Sequence, residues 1–558
     1  MTRLARLETA LLFSFLLFFC YALLYIYRFF DGNTLASWKW LFADRGFSVL
    51  LPFLGASLVI ALAASCAPLE KFPASVLIFL GAVATIPLLT EPELMLDSGR
   101  YFLQAKSLAH NGILFFFREW GRAIFSWTDL PLIPFLYGMI LKWTNESRLA
   151  VQLFNASFFV LAVIITWRTG TFLWNSETGL YAGLFLLAMP YLLTQVVQVL
   201  VDIHALFFHL LAFHTFLVAV HKKDAISPAI AAIALAAALL VKYSLWPMLA
   251  LLPPAGLILS PKASRLRALK REMLILAATA LVFVPVVAFR FPVFVDQLRT
   301  LFQYQRPALH LWGEGILGPL LFHCHPFILL LALYGMVTAW RKRDARALIL
   351  LLYLLLAATL QIRRIRYLIP LLPFFALAAA YGLCGLREIM ARRFIGVLAV
   401  SSALTLLHTA YLPFFSTTSM MNLALAGRLL DTLPSEAAEV VVLPQELSEG
   451  SSFAAIPLLD LHTDKCLVSS QAWPTSPPPH LSPLSPLLFT WKIPKPSFYS
   501  GSPQRPAHEN TSLVIIASSA EEMQNYMKQR GISPATPTKD FFLHSQFFRY
   551  KTLLTIVP

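Results

Sequence analysis

The stretch FPASVLIFLGAVATIPLLTEPELMLDSGRYFLQAK, residues 72–106, joins two kinds of chain. From 72 to 90 it is apolar and nearly long enough to cross a bilayer, which takes about 20 helical residues. From 91 onward it carries three carboxylates, Glu91, Glu93 and Asp97. An apolar helix that runs into acids marks a membrane boundary. Acids placed there are either solvated interfacial charges or parts of a site.

Similar apolar runs recur along the chain. Of 558 residues, 58% are hydrophobic and 13% charged, a balance that excludes a soluble globular protein. The reading is mainly α, a polytopic helical membrane protein of about 13 spans. The candidate spans are 9–29, 47–67, 72–90, 148–167, 179–199, 203–220, 226–242, 244–260, 273–290, 316–338, 347–362, 367–385 and 394–412. The run 130–143 is short and begins with Pro131 and Pro134, so a helix lying at the outer surface is expected there. The N-terminal 30 residues combine a basic start with an apolar stretch too long for a signal-peptide core, and read as a retained anchor.

The formal charge of +15 does not indicate a nucleic-acid partner, because no Lys/Arg run interleaved with aromatics stands on a polar segment. It marks orientation instead. Arg3 and Arg6 place the N-terminus inside. The basic loops at 221–224, 261–272, 341–346 and 387–393 then fall on the same side. The loop 91–146, the loop 291–315 and the tail from 413 fall outside. One cluster works against the rule: QIRRIRYLIPLLP, residues 361–373, puts Arg363, Arg364 and Arg366 at an outer helix end. Snorkelling explains such arginines. So does an anionic partner at the membrane surface, since guanidinium forks match phosphate oxygens.

The tail changes character. AEVVVLP, TSLVIIAS and YKTLLTIVP read as short buried strands, and SAEEMQNYMKQRG as a helix closed by Gly531. A Pro-rich stretch, 472–496, reads as an extended loop. The expected organisation is two N-terminal spans in 1–69, a membrane core in 70–412 with its outer loop 91–146, and a small outside α/β domain in 413–558. Four cysteines lie in or beside apolar runs and only Cys466 lies in the polar tail, so no disulfide is expected there.

Polar groups gather at four boundary positions: Asp97; Asp202 with His204 and His209; Lys242 with Tyr243; and the arginine cluster with Tyr367. The topology puts all four on one side, so they are expected to surround one outer cavity. Carboxylates beside lysine and arginine suit a reaction in which a base activates a hydroxyl or amine while cations stabilise a departing phosphate. Each also has a plainer account. Asp202 would cap a helix, Lys242 would snorkel, and the histidines would pack. His323 and His325 flank Cys324, but alternate residues on a helix diverge, which disfavours a metal site. The loop 291–315, with Gln303, Tyr304, Arg306 and Trp312, is a candidate lid.

LDSGRYFLQAKSLAHNG (96–112), the long run 127–195 and VDIHALFFHLLAF (201–213) resemble the bacterial branch of the family 39, C-type glycosyltransferases. That branch is similar to dolichyl-phosphate-mannose-protein mannosyltransferases and to lipid A aminoarabinose transferases. The family pattern falls on Asp97 with Tyr101, Pro131 with Leu132, Arg148 with Leu149, Lys242 with Tyr243, and Arg366-Tyr367 with Pro370 and Pro373. The resemblance covers about 70–390. Ser98 stands where the family often has Glu, which makes Glu91 and Glu93 candidate substitutes. Leu130 stands where Pro is usual.

The resemblance implies a C-type glycosyltransferase fold. It also implies transfer of a sugar, with inversion, from a polyprenyl-phosphate donor to an acceptor protein, lipid A or glycan. The setting would be the periplasmic face of a bacterial inner membrane. On this reading Asp97 is the general base. Asp202, with Glu91 and Glu93, holds the acceptor or a divalent cation, Mg or Mn. Lys242, Arg363, Arg366 and Tyr367 bind the donor phosphate, and Tyr101 and His204 are further site candidates. The alternatives are a transporter or lipid flippase, and a non-catalytic relative that binds polyprenyl lipid. Clustering of the polar groups at one face, and no visible inverted repeat, weigh against transport.

Overall fold

The computed structural model describes residues 3–30, 38–42, 46–306, 317–359, 365–445, 448–500, 511–545 and 550–558. Among these, six helices are long and apolar enough to cross a membrane: Ala10–Phe30, Arg148–Leu173, Asp202–His221, Lys262–Phe289, Arg366–Cys384 and Ile389–Thr417. The expected run 179–199 is not one straight span. It divides into Ser176–Leu187 and Pro190–Val196, bent by 70°, and counting it as one span brings the total to seven. Pro190 opens the second piece, since it lacks the N–H that would continue the first helix. The run 316–338 divides in the same way. His325 takes a left-handed φ of 62° and Pro326 starts the next helix. Shorter apolar helices occupy Leu50–Ser65, Pro73–Leu88, Leu132–Trp143, Ile226–Leu239 and Tyr243–Leu259.

Helices approach closely where glycines meet. A Cβ on Gly335 would lie 2.1 Å from the carbonyl of Ala378, so the Pro326–Lys342 and Leu372–Cys384 helices touch backbone to backbone. Leu132–Trp143 keeps Ile133, Tyr137 and Leu141 inward, while Trp143 is 75% exposed.

The Leu96–Glu119 helix, here the Asp97 helix, connects the membrane core to the C-terminal domain. Residues Ser98 to Ala105 are buried on every face, so it runs inside protein. Its course breaks at Gly112, whose φ of 85° suits glycine. Gly99 allows Pro457 of the C-terminal domain to approach; a Cβ there would lie 3.1 Å from the proline ring.

That domain is a five-stranded sheet in the order β2-β1-β3-β5-β4. β1 (Ala437–Val442), β2 (Cys466–Val468) and β3 (Thr511–Ala517) run parallel. β5 (Leu553–Val557) pairs antiparallel with β3 and with β4 (Lys539–Phe541). The helix Ala520–Gln529 starts at Ser519, whose side chain accepts from the Glu522 N–H, and ends before Gly531 at φ 70°. The three strands and the helix expected from sequence are present. β2 and β4 are additions, each three residues long.

A buried ion pair fastens the domain to the Asp97 helix. Lys106 Nζ lies 2.8 Å from Asp460 and 2.8 Å from Glu146, and the Tyr499 hydroxyl donates to Asp460 at 2.5 Å. Burial opposes charge on Lys106, but the two carboxylates outweigh it and raise the lysine pKa. Burial raises Asp460 despite the ammonium. Lys106→Met strands Asp460 without its cation, and removing one partner of a buried pair costs about 3–5 kcal/mol. A carboxyl whose folded pKa is raised stabilises below its unfolded pKa and loses that contribution as pH rises through the folded value. The variant is therefore expected to sit nearest wild type at pH 4–5 and farthest at pH 8. Thermal unfolding across that range checks it.

Candidate active site

Each charged side chain reaches the site because a helix starts or breaks there. Asp97 lies in the first turn of its helix, where the macrodipole favours a carboxylate. Asp202 opens the Asp202–His221 helix. Lys242 has extended backbone between Ile226–Leu239 and the 3₁₀ turn Tyr243–Leu245. Arg366 and Tyr367 belong to the 3₁₀ helix Ile365–Leu371 that feeds Leu372–Cys384. The start of Leu132–Trp143 is tied to the lysine turn, since the Leu132 N–H donates to Leu240 O at 3.3 Å.

These residues line one cavity of about 270 Å³. Three carboxylates and three cations alternate within it, and Arg306 is a fourth cation in its lining. Arg100 bridges Asp97 at 2.9 Å and grips Asp129 with two parallel bonds of 2.6 and 2.8 Å. Arg366 pairs with Asp97 on the other side and lies 3.6 Å from Asp202. Lys242 donates to Asp202 at 2.6 Å and sits 4.8 Å above the Tyr367 ring. Asp202 Oδ2 is buried and has no hydrogen-bond partner among the described residues. Gln104 and Gln297 hold Asp129 in place, one through its carboxylate and the other through its carbonyl.

The cavity has a roof. Tyr304, Gln305 and Arg306 follow the Phe291–Thr300 helix, and Pro486 and Phe489 come from the C-terminal domain. The Tyr304 hydroxyl donates to Ser485 O in that domain, and Gln305 donates to the Tyr367 hydroxyl at 3.0 Å. The segment therefore links roof to floor. Arg306 is exposed at the rim and makes no ion pair with a described residue.

The structure brings together Asp97, Tyr101, Asp202, Lys242, Arg366 and Tyr367. It does not bring in the others. Glu93 faces away from the cavity and supports the fold: it accepts from Arg148 at 3.0 Å and from the Val199 N–H at 3.0 Å. Glu91 offers its backbone carbonyl to the same arginine at 2.7 Å, and burial raises its carboxyl pKa. His204 is fully buried among Tyr137, Phe154 and Phe158, with ring centroids 4.8–5.4 Å away. His209 packs on Tyr353 and Phe374. His323 and His325 are buried separately, and no group of three metal-ligating side chains occurs among the described residues. The three cavity carboxylates face guanidinium or ammonium groups, so the residues present do not fit a divalent cation. Arg363 and Trp312 lie outside the described residues.

Sequence reasoning missed Arg100 and Asp129. The signals were an arginine one turn after Asp97, and an acid two residues before Pro131 in WTDLPL.

Residues 129–289 match the family described as dolichyl-phosphate-mannose-protein mannosyltransferase. The structure is similar to that of ArnT from Cupriavidus metallidurans bound to undecaprenyl phosphate, with a TM-score of 0.53 and 12% identity over 92% of this chain and 99% of that one. It is similar also to the apo state of ArnT, with a TM-score of 0.54 and 11% identity over 88% and 97%. No curated protein matches in sequence. The chain thus has the fold of ArnT, and its residues 129–289 carry the pattern of the dolichyl-phosphate-mannose-protein mannosyltransferase family.

Proposed function

We propose that the protein is a membrane glycosyltransferase that takes a sugar from a polyprenyl phosphate and passes it, with inversion, to an acceptor on the periplasmic face of a bacterial inner membrane. The observation that carries this is the cavity with its three acids and three cations. With Arg306 at its rim the lining carries one cation more than its carboxylates cancel, and its guanidinium groups match phosphate oxygens. The ArnT structure with undecaprenyl phosphate supports a donor of that class.

The charges suggest an exchange. A donor phosphate competes with the carboxylates for Arg100, Arg366 and Lys242, because charge-assisted bonds to phosphate are strong and guanidinium presents them in pairs. As the guanidiniums turn to phosphate, their hold on the Asp97 carboxylate loosens. The acceptor hydroxyl then attacks the anomeric carbon opposite the phosphate. The carbon–oxygen bond to phosphate breaks, the electron pair leaves with the phosphate, and the acceptor proton passes to Asp97. Asp202 Oδ2, buried without a hydrogen bond among the described residues and 3.6 Å from Arg366, receives a substrate hydroxyl once that guanidinium has turned to the phosphate. The cations hold the departing phosphate, and the roof covers one side of the cavity.

The test uses purified full-length protein in detergent with radiolabelled undecaprenyl-phosphate sugars and a bacterial envelope fraction as acceptor. Loss of donor with gain of labelled product is expected. Binding without turnover of any donor would favour a lipid-binding relative, and no binding would return the transporter reading. Arg306 is a surplus cation at the rim, so Arg306→Ala is expected to raise the donor KM about tenfold, near the lower end for a bond to a charged group. Donor titration checks it.

A further inference from the structure

A second cavity, of about 260 Å³, lies on the other side of Arg100. It is bounded by the Asp97 helix, the 123–125 turn and residues 493–498 of the C-terminal domain, and is open at the Asn111 edge. Arg100 is the wall shared with the first cavity, and so stands between Asp97 and this space. We propose that this second cavity is the acceptor subsite and that it holds a sugar ring of a glycan acceptor. The proposal rests on the glycosyltransferase reading and specifies its second substrate.

The lining argues for a sugar. Its uncharged polar side chains are Gln104, Ser107, Asn111 and Ser497, and its apolar ones include Phe115, Phe125 and Phe498. Amides and hydroxyls pair with sugar hydroxyls, while aromatic rings cover the C–H faces. Gln104 is 1% exposed. Its amide N–H groups are used by Phe125 O and Asp129, and its Oε1 has no partner among the described residues.

The lining also argues against the other acceptor classes. A peptide strand needs backbone partners, but Pro494 and Pro496 in the wall have no N–H to give. The volume lies just below the roughly 300–1,000 Å³ of drug-sized sites, which suits one ring and not an extended chain. For an anionic group the cations are already engaged. Arg100 serves the first cavity, where the donor phosphate takes it up, and Lys495 donates to Ser469 O and Gln471 O at 2.5 and 3.1 Å.

The wall is built to stay in place. Tyr499, next to Phe498, is bound to Asp460, which is bound to Lys106 of the Asp97 helix. The ring of His110 stacks on Phe498 at 5.2 Å. The subsite is therefore fixed relative to Asp97.

The experiment fills the cavity from its exposed edge with Asn111→Trp, where bulk does not disturb the core, and in parallel with Ser107→Phe. Turnover of radiolabelled undecaprenyl-phosphate mannose is followed with an envelope fraction separated into glycan, lipid and protein. Wild type is expected to label glycan, either free or as the sugar part of a glycolipid. Both variants are expected to raise the half-saturating amount of envelope acceptor tenfold or more, with donor binding measured separately as control. Label confined to protein would overturn the glycan assignment. Unchanged acceptor saturation in both variants would overturn the location while leaving the transferase reading intact. No donor binding or turnover by wild type, with this or other undecaprenyl-phosphate sugars, would overturn that reading and this one with it.

Discussion

Asp97→Asn is expected to lower the rate of transfer by about a thousandfold while leaving donor binding intact or tighter. The size follows from the role: a positioned base contributes about 10²–10⁴. The separation of rate from binding follows from the geometry. Asparagine has nearly the same shape, but its single oxygen accepts from only one of the two arginines that Asp97 serves with separate oxygens, and its NH2 faces the other, which frees that guanidinium for phosphate. What it loses is the negative charge and the capacity to take a proton. The cavity lining then carries four cations against two carboxylates, and a phosphate meets less competition for Arg366. Transfer in a single turnover and donor affinity by titration separate the two effects. A rate within a few-fold of wild type would reduce Asp97 to an ion-pair partner. Joint loss of binding and rate would make it structural.

The same helix illustrates what a sequence shows of such a site. Asp97, Asp202, Lys242 and Arg366 were legible because each charge interrupts apolar sequence, and charge in apolar surroundings is costly unless it is used. Their convergence was legible from topology, since the basic loops fix which helix ends share a side. The pairing was not. Arg100 and Asp129 meet across 29 residues and a turn, and no periodicity reports such a contact. His204 misled because two residues from Asp202 in sequence is a different face of a helix, and that face belongs to an aromatic cluster. Glu93 misled because an acid at a boundary has a third use, as an internal partner for Arg148. The strands with β-branched runs, such as Ala437–Val442, were legible, whereas the three-residue strands Cys466–Val468 and Lys539–Phe541 are too short to show alternation. Hydropathy likewise counted 179–199 as one span because it does not register direction, although Pro190 marked the bend.

Arg366→Lys is the second large effect expected. It keeps the charge and removes the fork. Arg366 reaches Asp97 with one nitrogen and approaches Asp202 with another, so a single guanidinium joins the two carboxylates across the cavity. A lysine is a compact charge that serves one of them at a time. If the cation is needed only to neutralise, the substitution is nearly silent. If it must hold a phosphate bidentately as charge develops on it, kcat/KM is expected to fall about a hundredfold, ~3 kcal/mol of lost transition-state stabilisation. Lys242→Arg provides the contrast. Among the described residues Lys242 donates to Asp202 alone, and it rests on the Tyr367 ring. An arginine can do both, so the loss there is expected to be only a few-fold. Arg366→Met removes the charge as well and leaves Asp97 and Asp202 facing each other with one cation fewer. That variant is expected to lose stability, by about 3–5 kcal/mol if the pair behaves as buried pairs do. Thermal unfolding of the three variants, set beside their kcat/KM, separates charge from shape. Equal activity in Arg366→Lys and wild type would mean that the fork has no part in the reaction, and the phosphate would then be assigned to Lys242 and the rim.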